Sequence, residues 1–202
     1  MIVALNRCTD RTAEVARSFG ARTVSADARI LAAVRNAGAR EAGGDILVTI
    51  DADSTMSPNT LVEIERRLVS GTYVGGGAMI LPDRWSAGIV TSALLVLLMI
   101  LRFRVSAGMF WLLRKDFEAL GGFDESFVSA EDIDFGVRLR KLGLRRGQRY
   151  GTLWRAPITT SCRKFDHFGD WFVLRHLGLV RTIIGGKDRK AADLFYYDIP
   201  RL

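Results

Sequence analysis

Ile46-Leu47-Val48-Thr49-Ile50-Asp51-Ala52-Asp53 is the stretch of sequence that decides the fold of this chain. Its first five residues are apolar or β-branched, which predicts a strand buried on both faces, as in a parallel sheet. The strand ends at two carboxylates that are one residue apart. Candidate strands and helices alternate on either side of it. This alternation predicts an α/β fold with a mostly parallel sheet flanked by helices.

The remaining segments follow the same periodicities and are bounded by glycine and by capping residues. Strands are predicted at 2–5, 22–25, 73–81 and 105–113, and helices at 12–19, 30–42, 57–70, 116–120 and 131–142. No repeat or linker divides the chain. We therefore expect a single domain over residues 1–202, with a core at 1–145 and an acceptor-side or lid segment at 146–202.

Composition and charge limit the classes of partner. Apolar residues make up 49% of the 202 residues and charged residues 25%, as in an ordinary folded protein. The net charge of +7 favours an anionic partner, which can be a nucleotide, a nucleic acid or an acidic lipid surface. The basic residues are scattered and form no nucleic-acid motif, so no nucleic acid is expected. Cys8 and Cys162 lack metal-ligand spacing, which indicates free thiols and a cytoplasmic location.

One segment, residues 87–101, is strongly apolar and reads AGIVTSALLVLLMIL between Arg84 and Arg102. It is shorter than the roughly 20 residues that a helix needs to cross a bilayer. Three interpretations remain open for it: a buried core helix, a helix lying on a membrane surface, or the lining of an apolar acceptor site. On the second interpretation the protein is peripheral at the inner face of the membrane.

Asp51 and Asp53 are the first candidates for chemistry, because ligands of open α/β sheets bind beyond the carboxyl ends of the strands. Two carboxylates in one turn can hold Mg²⁺ or Mn²⁺, which prefer oxygen ligands and are often shared with substrate phosphates. The alternative is a turn that caps the next helix. A second pair of this spacing, Asp132 and Asp134, does not follow a buried strand.

A second acidic cluster begins with Gly121-Gly122-Phe123-Asp124-Glu125 and continues to Glu131-Asp132. A carboxylate at the start of a helix can act as a general base. Ser129 and Asp132 also have the spacing of a capping box, in which Asp132 bonds a backbone N–H. The two roles are compatible, since capping would also hold the side chain in place.

In this order, the motifs resemble those of family 2 glycosyltransferases, which have the GT-A fold. Residues 6–14 resemble the second-strand motif of that family, and Arg35-Asn36-Ala37-Gly38 with 44–47 leads into its metal motif at 51–53. Residues 106–111 and 121–125 resemble its acceptor-side segment, and Glu131-Asp132 its base motif. The resemblance runs from residue 2 to about residue 145, and more loosely to about residue 170.

The resemblance implies an inverting transfer of a sugar from a nucleoside-diphosphate sugar, assisted by Mg²⁺ or Mn²⁺. Asp132, with Glu131 beside it, would be the catalytic base. Asp53, Asp51 and His167 would hold the metal, although His167 can equally be a surface or core residue. Donor contacts would come from Asn6, Asp10, Arg35, Asp51, Asp53, Arg163 and Lys164. Acceptor contacts would come from Gly108 and Trp111, unless Trp111 is part of the core.

The sequence departs from the family at its start. Family members begin with another strand and helix, whereas this chain opens at what resembles the second strand. We expect Met1 to be an internal start, a misassigned start or the boundary of a fragment. The acidic pair that many members carry in the following turn is replaced by Leu5 and Asn6, which puts recognition of the nucleotide base in doubt.

Other functions remain open beside the sugar transferase, whose acceptor would be a lipid-linked or membrane-proximal molecule or a glycan. A degraded relative would bind a nucleotide or a protein partner without turnover. Independently of the function, a homodimer is a possible assembly. A nucleotidyltransferase on a related fold is a further alternative, although the Gly-rich basic loop of such enzymes is not found here.

Overall fold

Strands and helices alternate along the computed structural model, which describes residues 1–176, 178, 182 and 185–189. The strands are β1 (Ile2–Leu5), β2 (Arg22–Ser25), β3 (Ile46–Ile50), β4 (Ser54–Met56), β5 (Tyr73–Pro82), β6 (Met109–Leu113) and β7 (Arg149–Thr160). The helices are α1 (Thr12–Ser18), α2 (Leu31–Arg40), α3 (Thr60–Val69), α4 (Ala87–Phe103), α5 (Arg114–Ala119), α6 (Glu131–Arg145), α7 (Arg163–Phe168) and α8 (Phe172–Arg175).

Most of these elements agree with the predictions from periodicity. The strands β1, β2 and β3 have the predicted bounds, and α1 and α2 lie within the predicted ranges. β6 begins at Met109 rather than at Val105. Two strands, β4 and β7, were not predicted at all. β7 belongs to the main sheet, so part of the segment 146–202 is built into the core.

The strands form two sheets. β1 and β2 pair in parallel as a two-stranded sheet, and the other five strands lie in the order β3-β6-β5-β7-β4. β5 and β7 are also parallel, whereas β6 runs antiparallel to both of its neighbours and β4 antiparallel to β7. The α/β class with flanking helices is confirmed. The sheet is more mixed than the predicted parallel one, because β6 inserts in the opposite direction between β3 and β5.

The position of β3 also corrects a prediction. β3 lies at one end of the order of the five-stranded sheet, and of its residues Leu47 is buried while the others are half-buried. Both faces of β3 are packed, but only the face that carries Leu47 is fully buried, against α2 and α5. Ile46, Val48 and Ile50 are half-buried against the cluster on the opposite face, so the predicted burial on both faces is only partly realised.

The core lies on both faces of β6, whose side chains alternate between two clusters as the period of a strand requires. Phe110 and Leu112 pack with helices α2, α5 and α6, in a cluster that includes Phe117, Phe123 and Phe135. Met109 and Trp111 pack on the opposite face with Ile64 and Leu68 of α3 and with side chains of β7. The sheet is thus covered by helices on both sides.

Gly76 of β5 is required by the second cluster. A Cβ atom at this position would overlap the backbone of Gly151 and lie 2.8 Å from Cζ2 of Trp111. The Trp111 indole crosses the strands there, and its Nε1–H donates to the carbonyl of Gly77 at 2.9 Å. The glycines of β5 therefore make room for a buried tryptophan rather than interrupting the strand.

Helix α4 is the predicted apolar segment, extended to Phe103. Ser86 caps its start by accepting from the N–H of Ile89 at 3.2 Å, and Arg104 ends it in the left-handed conformation. Val90, Leu94, Leu98 and Leu101 are half or more exposed, so α4 is not the buried core helix that was one interpretation. In the described part of the chain, no helix combines the length and apolarity that crossing a bilayer requires.

Candidate active site

The guanidinium of Arg35 joins two acidic segments that are far apart in sequence. Its Nη2 donates to Oδ1 of Asp51 at 2.7 Å, and its Nη1 donates to Oε1 of Glu131. Arg35 lies on α2, Asp51 follows β3, and Glu131 is the first residue of α6. The turn at 51–53 and the start of α6 therefore border one cleft, which has Arg35 at its floor.

Local backbone structure presents these carboxylates. After β3 the chain turns at once, with the N–H of Ser54 donating to the carbonyl of Asp51 at 3.0 Å, and continues as β4. Ala130 adopts the left-handed conformation immediately before α6, at φ 56°. That sharp entry places Glu131 and Asp132 in the first helical turn, where the helix dipole favours negative charge.

The cleft combines burial with several charges. Burial lowers the pKa of the Arg35 guanidinium, but the carboxylates of Asp51, Glu131 and Asp132 raise it further, and the net shift is upward. Arg35 therefore stays charged. Burial raises the pKa of Glu131 above its ordinary range although Arg35 opposes the shift. Glu131 is only 3% exposed, so it is available to Arg35 and not to a substrate in solution.

Asp132 is the more accessible member of the acidic pair. Burial raises the pKa of its carboxyl group, the Arg35 charge opposes this shift, and the charge of Asp51 adds to it. The Asp132 Oδ1 accepts from the N–H of Ile133 at 2.8 Å. The predicted capping box with Ser129 is not formed, because the N-cap of α6 is Ala130, whose methyl group cannot accept a hydrogen bond.

A basic segment completes the cleft opposite the carboxylates. The N–H of Ser161 donates to the carbonyl of Asp53 at 3.0 Å, which brings the start of α7 beside the 51–53 turn. Burial lowers the pKa of Lys164, and the charges of Asp53 and Asp51 oppose that shift. Arg163 is exposed at the same helix start. A half-buried ammonium beside two carboxylates can contact phosphate oxygens that bind between them.

Asn36 supports the cleft from behind and was not predicted as a functional residue. Its Nδ2 donates to the carbonyl of Phe123 at 2.8 Å and to Oε1 of Glu125 at 2.9 Å. Its Oδ1 accepts from the N–H of Phe123 at 2.9 Å. The Gly121–Glu125 turn is thereby fixed to α2. It lines a recess of about 420 Å³ together with Asn36 and Arg138. The sequence signal was the Arg35-Asn36 pair itself.

Tyr150 is a second residue that sequence reasoning missed. Its hydroxyl donates to the carbonyl of Ser106 at 2.5 Å, next to the Ser106–Thr152 hydroxyl pair. Burial raises the pKa of this phenol, to which the charge of Asp132 also contributes. Tyr150 therefore stays protonated and holds the segment before β6. No pattern in the sequence marked it, because β7 itself was not predicted.

Two predicted donor residues, Asn6 and Asp10, form hydrogen bonds within local structure. Asn6 donates through Nδ2 to the carbonyls of Ala26 at 2.5 Å and Ala28 at 2.8 Å, which fixes the loop after β2. Asp10 accepts from the N–H of Thr12 at 3.0 Å, in the turn directly before α1. Their assignment to the donor site stays a prediction.

Gly108 and Trp111 were both predicted to contact the acceptor, and the structure contradicts this for Trp111. Trp111 is fully buried between β5 and β7, so its indole does not reach an acceptor and the prediction is wrong. Burying its large aromatic ring inside the sheet stabilises the fold more than exposing the ring at the surface would. Gly108 precedes β6 at φ 84°, where an L side chain would be strained and would meet Ile80. The backbone conformation therefore explains why a glycine stands at position 108, without any contact to an acceptor.

The carboxylates of Asp51 and Asp53 fit a hard divalent cation in part. They are oxygen donors in one turn, and the exposed side chain of Asp53 is open to solvent, as needed for a cation shared with phosphates. His167 is exposed on α7, with its ring edge against Phe168. Across the described ranges, no three His, Cys, Asp or Glu side chains are grouped to hold a metal. The assignment of His167 to the metal therefore stays a prediction.

The amino-acid sequence matches a known protein family. The family model described as Glycosyl transferase family 2 matches residues 1–120. That range includes α2, the 51–53 turn and β6, but ends before α6. A comparison with curated protein sequences gives no significant match.

Solved structures show the fold. S. aureus TarS superposes with a TM-score of 0.61 at 12% identity, over 96% of this chain and 36% of TarS. S. aureus TarS 1-349 in complex with UDP-GlcNAc has a TM-score of 0.61 and 13% sequence identity, over 96% of this chain and 60% of that chain. A third structure is glucosyl-3-phosphoglycerate synthase from Mycobacterium tuberculosis, in complex with Mn²⁺, UDP-glucose and phosphoglyceric acid. Its TM-score is 0.52 and its sequence identity 17%, over 93% of this chain and 69% of that chain. The chain thus spans about a third to two thirds of these proteins.

Proposed function

The chain belongs to glycosyl transferase family 2, and on that premise we propose that it transfers a sugar from a nucleoside-diphosphate sugar to an acceptor hydroxyl with inversion. One observation carries the proposal: Arg35 bonds both Asp51 and Glu131, so that the carboxylate turn and the acidic helix start border the same cleft. A sugar diphosphate needs both at once, since its phosphates and its anomeric carbon are only a few bonds apart.

The donor diphosphate binds between the 51–53 turn and the start of α7. Lys164 and Arg163 contact its oxygens from one side, as suits a basic pair. On the other side, a divalent cation held by Asp53, with Asp51 nearby, would offset charge that builds on the leaving diphosphate. The complexes of TarS with UDP and UDP-GlcNAc, and of the mycobacterial synthase with Mn²⁺ and UDP-glucose, support this assignment.

Asp132 acts as the general base. It removes the proton of the acceptor hydroxyl while that oxygen attacks the anomeric carbon and the bond to the diphosphate breaks. Direct attack inverts the configuration at that carbon. A raised carboxyl pKa makes Asp132 a stronger base than an exposed aspartate. Glu131 is not the base, because it is buried and paired with Arg35, and its role is to hold the floor of the cleft.

The decisive experiment separates binding from turnover. We expect UDP, GDP or TDP to bind more tightly with Mn²⁺ than without it in calorimetric titrations, and Asp53→Ala to abolish this difference. Asp45→Ala is the control, since Asp45 is an exposed carboxylate in the turn before β3. If none of the three diphosphates binds, with or without Mn²⁺, the donor site is wrong.

Turnover is followed as release of nucleoside diphosphate from UDP-glucose and UDP-GlcNAc. Asp132→Asn should keep donor binding and lower turnover by about 100-fold or more, the usual contribution of a positioned base. Asp134→Asn is the control, because Asp134 lies two residues further on and pairs with Arg138 at 2.7 Å. Donor binding without any turnover in the unmodified chain would instead favour a nucleotide-binding relative.

A further inference from the structure

Helix α4 presents a continuous apolar stripe to solvent. Val90, Leu94, Leu98 and Leu101 are 50%, 54%, 53% and 62% exposed. Their spacing of four, four and three residues places them on one face of a helix with 3.6 residues per turn. Isolated exposed apolar residues are common in proteins, but a row that follows a whole helix indicates an interaction surface.

The start of α4 is held by the protein on the side away from the stripe. Ile89 and Ser92 are buried, and α4 packs against α8. A Cβ atom at Gly88 would lie 2.5 Å from the carbonyl oxygen of Asp170, so the helix approaches that backbone as closely as a glycine allows. These contacts fix the first turns of α4 with Val90 facing outward, whereas Val96, further along and away from the stripe, is 43% exposed.

Charge identifies the partner that fits the stripe. From Arg84 to Lys115 the chain has no acidic residue. Arg102 and Arg104 are exposed at the carboxyl end of the helix, beside Leu101. An apolar stripe that ends in arginines complements a membrane surface, where acyl chains take the apolar residues and anionic head groups take the charges.

Exposed tryptophans lie at the other end of the same helix. Trp85 directly precedes the cap of α4 and is 61% exposed, and Trp171 directly precedes α8 and is 43% exposed. The two are joined through their neighbours, since Arg84 bonds Asp170 at 2.7 Å. Indole rings prefer the boundary between acyl chains and head groups, so they suit the edge of a surface that lies on a bilayer.

We propose that α4 lies in the plane of an anionic bilayer surface, with its Val90–Leu101 stripe among the acyl chains and Arg102 and Arg104 on the head groups. This inference goes beyond the proposed function, because lipid binding needs neither the donor nor the acidic pair at α6. It rests on that function only in placing the acceptor at the membrane, where a lipid-linked hydroxyl would be found.

The test uses the full chain and vesicles of phosphatidylcholine with or without phosphatidylglycerol, in a flotation assay without nucleotide. We expect binding to the anionic vesicles that is weakened by salt. The double variant Leu94→Gln, Leu98→Gln should weaken it about tenfold or more, because each buried leucine contributes strongly to transfer from water. Arg102→Gln with Arg104→Gln should weaken binding about tenfold on anionic vesicles only.

The matched control is Leu61→Gln with Val62→Gln on α3, where both side chains are 60% and 69% exposed but lie on another surface. This variant should bind vesicles like the unmodified chain. All substituted side chains are exposed, so folding is preserved, which circular dichroism verifies.

The proposal is overturned if the chain does not bind anionic vesicles, or if the α3 and α4 variants lose binding equally. It is also overturned if sedimentation shows a dimer that the α4 variant dissociates while vesicles do not bind, since the stripe would then be covered by a second copy. Loss of diphosphate binding in the earlier titrations would leave the lipid result unchanged, so the two proposals fail separately.

Discussion

At the scale of single residues, the stability of the cleft depends on Arg35 and its carboxylate partners. It is the cation that two carboxylates share at the floor of the cleft, and one of them, Glu131, is 3% exposed. Removing one partner of a buried ion pair leaves an uncompensated charge, whereas removing both is far less costly. The stability of the cleft thus depends on the pair and not on either residue alone.

We predict that Arg35→Gln lowers the free energy of unfolding by about 3 kcal/mol, because Glu131 then remains buried without a cation. Adding Glu131→Gln to this variant should recover about half or more of the loss. Urea unfolding of the two single variants and the double variant measures this coupling. Strictly additive losses would show that Arg35 and Glu131 act independently and would contradict the shared floor.

The environment of Asp132 predicts how the stability of the chain depends on pH. Burial raises the pKa of its carboxyl group above the unfolded value near 4, so the folded state keeps the proton to a higher pH. Its contribution to stability is therefore full below the unfolded pKa and is lost as the pH rises through the folded pKa. Asparagine cannot ionise and avoids that loss.

Asp132→Asn should consequently stabilise the chain more at pH 7 than at pH 4, by about 1.4 kcal/mol for each unit by which the folded pKa exceeds the unfolded one. Urea unfolding of both proteins across this range measures the difference. The control is Asp134→Asn, which removes a neighbouring carboxylate that pairs with Arg138 at 2.7 Å. A difference that shrinks towards neutral pH would mean that Arg35, rather than burial, dominates the environment of Asp132.

At the scale of elements, sequence patterns predicted the chain around the cleft but not all of its sheet. β3, the carboxylate turn and the start of α6 were predicted because apolar runs, capping residues and acidic pairs are local signals. β7 was missed because Gly151, Pro157 and a mixture of polar residues interrupt any alternation, and its register against β5 shifts between Ala78 and Ile80. Its place in the sheet is fixed by pairing on both sides, which is not a local property.

The site shows the same division. Asp51, Asp53 and Asp132 were candidates from sequence, and the structure brings their segments together through Arg35. The burial of Trp111 was an open alternative that only packing could decide. The Arg35-Asn36 pair marked the position of Asn36 but not its role, and Tyr150 had no sequence signal, because both roles depend on contacts with residues 87 and 44 positions away.

Arg84 links two elements that a sequence pattern does not connect. Its Nη2 donates to Asp166 of α7 at 2.6 Å and to Asp170 at 2.7 Å. α7 carries Arg163 and Lys164 at its start, and α4 begins three residues after Arg84. Arg84 therefore joins the basic segment to the start of α4, next to the bond from the N–H of Cys162 to Oδ1 of Asp83 at 3.0 Å.

We predict that Arg84→Ala weakens diphosphate binding about threefold to tenfold, the range expected for a residue that acts through another. The affinity for UDP in the presence of Mn²⁺ measures the effect by calorimetry. Arg66→Ala is the matched control, since Arg66 is also exposed and pairs with Glu63 at 2.6 Å on α3. An unchanged affinity in Arg84→Ala, while Lys164→Ala loses affinity, would show that α7 holds its position without Arg84.

At the scale of the whole molecule, the two sheets differ in how well they are anchored. The five-stranded sheet has a cluster of buried side chains on each face. In β1 and β2, Leu5 is the residue that is buried, and α1 has no buried residue. Helix α2 is the connection between them, because it contacts β1, β2 and β3, and a Cβ at Gly38 would lie 3.6 Å from that of Ala4.

This asymmetry predicts that β1 and β2 open without unfolding the rest. Two paired strands with little buried surface are marginal by themselves, and such units exchange their amide hydrogens through local opening. We expect amides of β1 and β2 to exchange about 100-fold faster than those of β5 and β7, measured by hydrogen exchange with mass spectrometry. Equal protection in the two sheets would contradict the prediction and would show that the second edge of β1 is paired in solution.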